Sequence, residues 1–429
     1  MPRKQLPAAP VPHRRRRFSG RDPNEGHRVA TPLELLYDLT IVVAFGTAAD
    51  QLAGQVSKGH IWAGVGGFAM ATFATVWAWI NYSWFGSAYD TDDWVFRLAT
   101  MVQMVGVIVL ALGIPRLFRS FELGATPADQ VLVAGYVVMR VALVALWAAV
   151  ARQDPVRRPA ARVYMTAVGA VQVCWIAIAV AAPSLPVAGA LIAGLMVVEL
   201  AIPVAAERKV ATPWHPHHIA ERYSLLTIIT LGEVIAGTVT AVNALVNGDA
   251  GWTVDAALLA VAGVALAFGC WWSYFTVPFG EALERNRDRA FGFGYGHMLI
   301  FGPLAAIGGG IEVAASQLRG ESHVGETTAV LSVVIPFAIF IVTLYLLYSL
   351  VLRRRDGIHV LLLVGTAATL GLAVLLTALG VDMVICLLVL ALAPVVTIVG
   401  YETVGHRHID DALGRRRDGA SPQEPRAAG

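Results

Sequence analysis

Two carboxylates lie inside an apolar stretch near the start of the chain. The segment 31–51, TPLELLYDLTIVVAFGTAADQ, is long enough to cross a bilayer, yet it contains Glu34 and Asp38, with Asp50 near its end. On a helix, residues four apart share one face at about 6 Å. Two like charges this close in low dielectric cannot readily both be ionised unless a cation lies beside them. The pair therefore predicts a proton-binding site or half of an ion-pair cluster, although Glu34 could instead cap a helix that starts at Thr31.

A second acid-bearing stretch, IAERYSLLTIITLGEVIAGT, covers residues 219–238. Glu221 and Arg222 stand near its start, and Glu233 lies in its middle, directly after Gly232. Glu233 has no other charged residue within one helical turn. An isolated carboxylate at this depth is costly in lipid, which favours an ion-binding or proton-binding role. The alternative is a protonated Glu that hydrogen-bonds to a neighbouring helix.

Three further side chains could balance these acids. Arg97 lies just inside one apolar stretch, Arg140 is central in YVVMRVALVALW, and His297 follows the glycines of FGFGYGHMLIF. Because an unpaired guanidinium is expensive in hydrocarbon, we expect Arg140 to meet a carboxylate, either Glu199 or Asp38. His297 could shuttle protons near neutral pH, or it could be a satisfied histidine between glycine-rich helices.

Other kinds of site lack the residues they need. The sequence has no Walker A loop, nucleophile elbow, HExxH motif or GxGxxG after a strand, so we predict no cofactor and no nucleic-acid binding. The three cysteines lie far apart in apolar segments, which indicates neither a disulfide framework nor a thiolate metal site. The histidines of WHPHH (214–218) are predicted to lie in a loop because of Pro216, and no metal site is predicted there.

The composition predicts an all-α, polytopic membrane protein. Only 14% of the 429 residues are charged, 57% are hydrophobic, and the mean hydropathy is +0.64. Apolar stretches of about 20 residues recur, from which we predict twelve spans. If the N-terminus is cytoplasmic, the opposite side holds few of the 32 Lys and Arg residues, namely Lys58, Arg116, Arg119 and Arg319. The positive-inside rule then places both termini in the cytoplasm, at the inner membrane. Residues 1–30 are predicted to be a disordered basic tail, and residues 406–429 a second cytoplasmic tail.

The spans also look internally duplicated. Aligning Glu34 with Glu221 also brings Thr40 onto Thr227, a shift of 187 residues. The shift grows to 192 for Trp79 with Trp271 and Tyr82 with Tyr274, and to 196 for Asp92 with Asp288, as loop insertions would make it. We predict two six-span repeats, residues 31–206 and 207–405. An even number of spans gives both repeats the same orientation, with a ligand site between them near the midplane. Chance similarity between apolar segments is the alternative.

At the two acid-bearing stretches the sequence resembles the low temperature requirement protein A (LtrA) family of bacterial membrane proteins. TPLELLYDLTIVVAF is similar to that family's opening E-L-x-x-D-L, and ERYSLLTIITLGE to its E-R-F-x-L-F-T-I-I-x-L-G-E, within a resemblance that covers residues 29–405. The resemblance implies a multi-span membrane protein in which six residues match the family's polar positions: Glu34, Asp38, Glu221, Arg222, Gly232 and Glu233. Leu36 and Tyr37 stand where the family often has two phenylalanines. The family name records a growth phenotype in the cold and implies little biochemistry. A fainter likeness of the first span to a lysosomal potassium-channel family leaves a channel open as an alternative.

These features favour an ion-coupled or proton-coupled secondary transporter of a small solute. We expect Glu34, Asp38 and Glu233 to bind the proton or cation in one central site. Arg97 and Arg140 would neutralise these acids or hold an anionic substrate. The alternatives are a cation channel lined by the duplicated spans, and a membrane enzyme that uses the acids as general acid and base on a lipid or isoprenoid substrate. The mid-span position of Glu233 favours transport over catalysis.

Overall fold

The computed structural model describes residues 16–23, 25–26, 28–248, 251–353 and 357–406. Throughout these ranges the protein is helical and has no β-strand, and twelve helical segments are long and apolar enough to cross a membrane. The predicted all-α bundle of twelve spans is therefore confirmed. Residues 1–15 of the predicted N-terminal tail, and nearly all of the predicted C-terminal tail, lie outside the described residues.

Most of the spans are single helices. The first six are α1 (Pro32–Ser57), α2 (Ile61–Tyr89), α3 (Trp94–Glu122), α4 (Gln130–Gln153), α5 (Arg158–Ala181) and α6 (Leu185–Ala206). Those of the second half are α7 (Pro216–Val246), α8 (Val254–Phe275) with its short extension α9 (Phe279–Arg285), α10 (Ala290–Gly296) continued by α11 (Met298–Leu318), α12 (Glu326–Val351), α13 (Gly357–Ala378), and α14 (Met383–Ala391) continued by α15 (Ala393–Gly400). Arg287–Arg289 form a 3₁₀ turn before α10, and Tyr401–Gly405 form a π-helical turn after α15.

Helix α1 begins at a capping box. The Thr31 side chain accepts from the Glu34 amide, Glu34 accepts from the Thr31 amide, and Pro32 occupies the first turn, where its missing N–H has no helical partner anyway. The expected capping role of Glu34 is thus real. We call the end of the bundle at which α1 begins the near end, and the opposite end the far end.

Helices α1, α7 and α11 form the centre of the bundle, and glycines let them approach closely. A Cβ atom placed on Gly237 of α7 would lie 2.6 Å from the carbonyl oxygen of Gly308 in α11. One placed on Gly309 would lie 2.8 Å from the carbonyl oxygen of Ala49 in α1. Real Cβ atoms do not fit in such gaps, so the glycine run of α11 lets its backbone lie against both neighbours, as small residues at helix interfaces in membranes do.

The part of the predicted N-terminal tail that is described is packed onto the protein. We call residues 16–23, 25–26 and 28–30 the N-terminal segment. Phe18 is buried against Phe85 of α2, with ring centroids 6.3 Å apart, and its amide donates to Gln153 of α4. The Arg21 amide donates to the carbonyl of Ala88. The prediction of a solvated tail is therefore wrong for this segment, because one buried aromatic ring and several backbone hydrogen bonds hold it at the near end.

Candidate functional site

Four titratable side chains meet between α1 and α7 toward the near end. Glu34 and Asp38 come from α1, His218 and Arg222 come from α7, and all four are fully buried. The Nη2 of Arg222 donates to Asp38 Oδ1 at 2.6 Å, and His218 Nε2 lies 3.2 Å from Glu34 Oε2. We call these four residues the α1–α7 network. The ion-pair cluster predicted around Glu34 and Asp38 is present, and its cationic partners are Arg222 and His218.

The spacing along both helices produces this arrangement. Glu34 and Asp38 are four residues apart on α1, and His218 and Arg222 are four apart on α7, so each pair forms one face. Glu34 meets His218 and Asp38 meets Arg222, both at a separation of 184 residues in the chain. The residue nearer the start of α1 therefore contacts the residue nearer the start of α7, and the two later residues contact each other. Helices α1 and α7 accordingly run in the same direction through the bundle.

Helix α2 closes the network from a third side. Trp79 donates its indole N–H to Asp38 Oδ1 at 2.6 Å, and Ser83 Oγ lies 3.3 Å from Arg222 Nη2. The guanidinium carbon of Arg222 stands 5.8 Å from the Trp79 ring and 5.9 Å from the Tyr82 ring. Aromatic faces attract cations, so these two rings stabilise the buried guanidinium without neutralising the carboxylates.

Several polar atoms of the network remain unsatisfied. Within the described part of the chain, Glu34 Oε1, Asp38 Oδ2, His218 Nδ1 and two nitrogens of Arg222 have no hydrogen-bond partner. Arg222 Nη1 lies 3.9 Å from Glu34 Oε1, which is beyond hydrogen-bond length. With a neutral histidine, two carboxylates and one guanidinium leave the network with one negative charge in low dielectric. A single added proton makes the network neutral, so the chemistry that this arrangement suits best is reversible proton binding.

Three charged groups surround the network at the near end. Arg28 of the N-terminal segment donates to the carbonyls of Gly86, at 2.7 Å, and of Ser87. Both carbonyls belong to the last turn of α2, where a cation also interacts favourably with the helix dipole. Glu221, half-buried, accepts from the Ala30 amide at 3.2 Å. Burial, together with the charge of Glu34, raises the pKa of Asp90 to about 6. The network is thus covered by the N-terminal segment, and Glu221 lies at its edge rather than within it.

Arg140 and Glu199 form a second buried ion pair, between α4 and α6. Arg140 Nη2 donates to Glu199 Oε2 at 2.5 Å, and both side chains are almost completely inaccessible. Four further donors bind the same carboxylate: Trp77 at 2.7 Å, Tyr136 at 3.0 Å, Trp175 at 3.3 Å and Gln172 at 3.4 Å. We call Arg140 and Glu199 the α4–α6 clamp. The prediction that Arg140 pairs with a membrane acid is confirmed, and the partner is Glu199 rather than Asp38.

Glu233 does not join the α1–α7 network. It packs against α1 at Gly46, where a Cβ atom would lie 2.8 Å from Glu233 Oε2. Gly46 is two turns, or about 12 Å, beyond Asp38 along the helix. Asp50 of α1 and Glu312 of α11 are within electrostatic range of Glu233, and no ion pair to any of the three is formed by the residues described. The expectation of one site containing Glu34, Asp38 and Glu233 is therefore corrected, because the acids lie at two depths of one interface.

Arg97 and His297 do not face the membrane acids. Arg97 is half-exposed at the start of α3 and pairs with Asp92 at 2.9 Å, so it neutralises a surface carboxylate instead.

His297 is fully buried among aromatic rings. Its Nδ1 lies 2.8 Å from the carbonyl of Phe293 and its Nε2 lies 2.9 Å from the Tyr274 hydroxyl. A carbonyl can only accept, so Nδ1 donates and Nε2 accepts, and the histidine is satisfied in its neutral form.

His218 is the network residue that the sequence patterns did not indicate. WHPHH was predicted to be a loop because of Pro216, whereas α7 begins at that proline and His215 caps it by accepting from the His218 amide. Proline is favoured at the first position of a helix, so Pro216 followed by apolar periodicity could have indicated a helix start. The contact between His218 and Glu34 of α1 could not have been inferred from either stretch separately.

The chain is similar to known bacterial proteins over most of its length. The family model described as bacterial low temperature requirement A protein (LtrA) matches residues 29–394. An uncharacterised protein of Rhizobium meliloti is 27% identical over 290 residues, which cover 63% of this chain and 66% of that relative. No solved structure matches. Both acid-bearing helices, α1 and α7, lie inside the matched range. The chain is a multi-pass membrane protein that belongs to the bacterial low temperature requirement A family.

Proposed function

We propose that the protein is a proton-coupled secondary transporter of a small solute and that the α1–α7 network is its coupling site. The observation that carries this proposal is that four fully buried groups from the two central helices differ from neutrality by a single proton. A site whose charge is balanced by one proton, at a helix interface, is what proton coupling requires. Glu233 would be a second protonatable position on the same interface, toward the far end.

The duplication predicted for residues 31–206 and 207–405 belongs to this proposal. In each half the first helix packs on the second and third, and the third packs on the fourth. The parallel direction of α1 and α7 is what two six-span repeats of the same orientation would give. Together with the distribution of basic residues, these features support inner-membrane insertion with the near end and both termini in the cytoplasm.

The transport test begins with cells that contain or lack the protein. Comparison of their metabolites identifies solutes that depend on it, and uptake of these solutes is then measured in proteoliposomes with and without an imposed pH gradient. We expect the gradient to drive accumulation by the wild-type protein. Asp38→Asn and His218→Gln should reduce gradient-driven accumulation to the level without a gradient, while Arg97→Ala, outside the network, should retain it. Equal uptake by the wild-type protein with and without the pH gradient would contradict the proposal.

A cation channel is the second candidate, and one observation favours it. Asp50, Glu233 and Glu312 come from three helices, lie within electrostatic range of one another, and form no ion pair within the described ranges. Rings of acidic side chains are used by cation channels. Electrical recording from planar bilayers separates the candidates, because a channel conducts down an ionic gradient without any solute and a coupled transporter does not.

A further inference from the structure

A cavity of about 370 Å³ lies at the near end, and none of the residues of the α1–α7 network or the α4–α6 clamp lines it. Its walls come from α2, from the near ends of α5 and α6, from the connection between α6 and α7, and from α10 with the turn before it. Exposed residues at Ala211 and Asp288 mark its mouth. The volume falls within the range of small-molecule sites in proteins. The cavity therefore lies between the two halves of the chain, with its mouth toward the near end.

Six aromatic side chains line the cavity: Trp77, Trp84, Tyr164, Trp214, Phe291 and Tyr295. The polar groups of three of them are used elsewhere. The indole N–H of Trp77 donates to Glu199 at 2.7 Å, that of Trp84 donates to the Tyr223 hydroxyl at 2.9 Å, and the Tyr295 hydroxyl donates to the carbonyl of Leu200 at 2.8 Å. These rings consequently offer carbon surface and π electrons to an occupant rather than hydrogen-bond donors.

One carboxylate reaches this aromatic wall. Glu207 follows α6, and its Oε1 accepts from the Thr212 hydroxyl at 2.8 Å and from the Tyr164 hydroxyl at 2.9 Å. Both hydroxyl donors bind Oε1, and the backbone amide of Thr212 also hydrogen-bonds to this carboxylate. Burial raises the pKa of Glu207, and a cation beside Oε2 would favour the ionised form again.

Charges at the mouth are already engaged. The guanidinium carbon of Arg287 lies 5.6 Å from the centre of the Trp214 ring, and Arg287 donates to the carbonyl of Pro23 at 3.2 Å. Asp288 pairs with Arg353 and, at 3.4 Å, with Arg289. Arg287 is thus itself a cation bound on an aromatic face of the cavity, which shows what the wall accepts.

We propose that this cavity binds a small organic cation, with the ammonium or guanidinium group beside Glu207 and the aromatic or aliphatic body against the Trp77, Trp84 and Tyr295 rings. Aromatic faces and a carboxylate both attract a cation, and the apolar wall accepts its body. An organic anion held by Arg287 is the competing ligand. The inference concerns binding, so it can be tested whether or not the protein transports solutes.

The test is equilibrium dialysis of labelled compounds against the full-length protein in nanodiscs. Tryptamine, indole-3-propionate and 3-methylindole share one ring system and differ in charge, and benzyltrimethylammonium supplies a fixed positive charge. We expect saturable binding of the two cations, with the neutral compound and the anion at least about tenfold weaker. Empty nanodiscs correct for partition into lipid.

Variants assign the binding to the cavity. Glu207→Gln keeps the shape and the acceptor for Thr212 and Tyr164, and should weaken cation binding about tenfold or more. Phe291→Ala should weaken both cations while leaving the monodisperse elution of the protein unchanged. Glu284→Gln, exposed beside His217 and outside the cavity, should bind like the wild type. Arg287→Gln should not weaken cation binding.

Three results would overturn the inference. The first is stronger binding of indole-3-propionate than of tryptamine, with loss of that binding in Arg287→Gln, which would make the cavity an anion site. The second is cation binding that Glu207→Gln and Phe291→Ala both leave unchanged. The third is the absence of saturable binding of both cations to folded wild-type protein. Failure of gradient-driven transport would leave all of these binding results unaffected, so the two proposals fail separately.

Discussion

The α1–α7 network and the α4–α6 clamp both contain buried ion pairs in the membrane, but their carboxylates accept hydrogen bonds from different numbers of donors. Glu199 in the clamp accepts from five donors, which occupy both of its oxygens. Glu34 and Asp38 in the network each keep one oxygen with no hydrogen-bond partner in the described part of the chain. A carboxylate whose two oxygens accept from several donors is held in one position, whereas one with a free oxygen can take a proton without breaking a hydrogen bond.

This difference lies in the number of donors that each carboxylate accepts from. The clamp joins α4 to α6 and to the aromatic residues around them, although Nε and Nη1 of Arg140 have no hydrogen-bond partner in the described part of the chain. The network joins the two central helices, and under the proposed function it takes up one proton. Buried ion pairs by themselves are weak indicators of stability or function. Arg140 and Arg222 each have two nitrogens without a partner in the described part of the chain, so the carboxylates are what distinguish the clamp from the network.

The largest expected effect comes from breaking the clamp. Arg140→Ala leaves Glu199 as an uncompensated buried charge, which costs about 3–5 kcal/mol of stability. Arg97→Ala removes a half-exposed pair with Asp92 and should cost at most about 1 kcal/mol. Thermal midpoints of both variants in one detergent measure the difference. Equal midpoints would show that Arg140 is not held in low dielectric.

Removing the cover of the network should have the next largest effect. Phe18→Ala deletes the buried ring that anchors the N-terminal segment, which weakens docking by about 3 kcal/mol. Trypsin should then cleave after Arg21 and Arg28 much faster than in the wild type. Val29→Ala, exposed in the same segment, is the matched control and should be cleaved at the wild-type rate. Unchanged cleavage of Phe18→Ala would mean that the ring does not hold the segment.

A pH titration probes the charges that surround the network. The folded-state pKa of Asp90 is raised to about 6, so its neutral form is favoured by folding. Its stabilising contribution is present below about pH 4 and is lost as the pH rises to about 6, by at most about 3 kcal/mol. Asp90→Asn keeps the acceptor for the Asp92 amide and should lose this dependence, so its thermal midpoint should fall less than that of the wild type between pH 4 and pH 6.5. Parallel titration curves for both proteins would contradict the assignment.

The smallest expected effect tests whether Glu233 belongs to the network. Because Asp38 and Glu233 lie about 12 Å apart along the interface, the stability changes of Asp38→Asn and Glu233→Gln should add to within about 0.5 kcal/mol. Asp38→Asn and Arg222→Gln share one hydrogen bond and should be non-additive by more than that. Thermal or chemical unfolding of the two double-mutant cycles measures both coupling energies. Strong coupling of Asp38 to Glu233 would restore the single central site.

The sequence by itself determined the membrane class, the twelve spans and the need for charge pairing. These follow from local properties: a helix must satisfy its own backbone in lipid, so runs of about 20 apolar residues are recognisable without knowing their neighbours. The cost of an unpaired Arg140 likewise required an acid somewhere, and two candidates were identified. The spacing of Glu34 and Asp38 predicted that they share a face.

Only the tertiary structure decided which groups meet. Helix neighbours and their relative heights determine that Glu199, not Asp38, binds Arg140, and that Asp38 instead binds Arg222. They also place Glu233 against α1 at a point two turns away from Asp38, and the sequence of α7 alone could not predict this position. Phe18 and His218 were missed for the same physical reason: the burial of each depends on a surface that is formed by distant helices, and a short segment of sequence carries no information about the position of those helices.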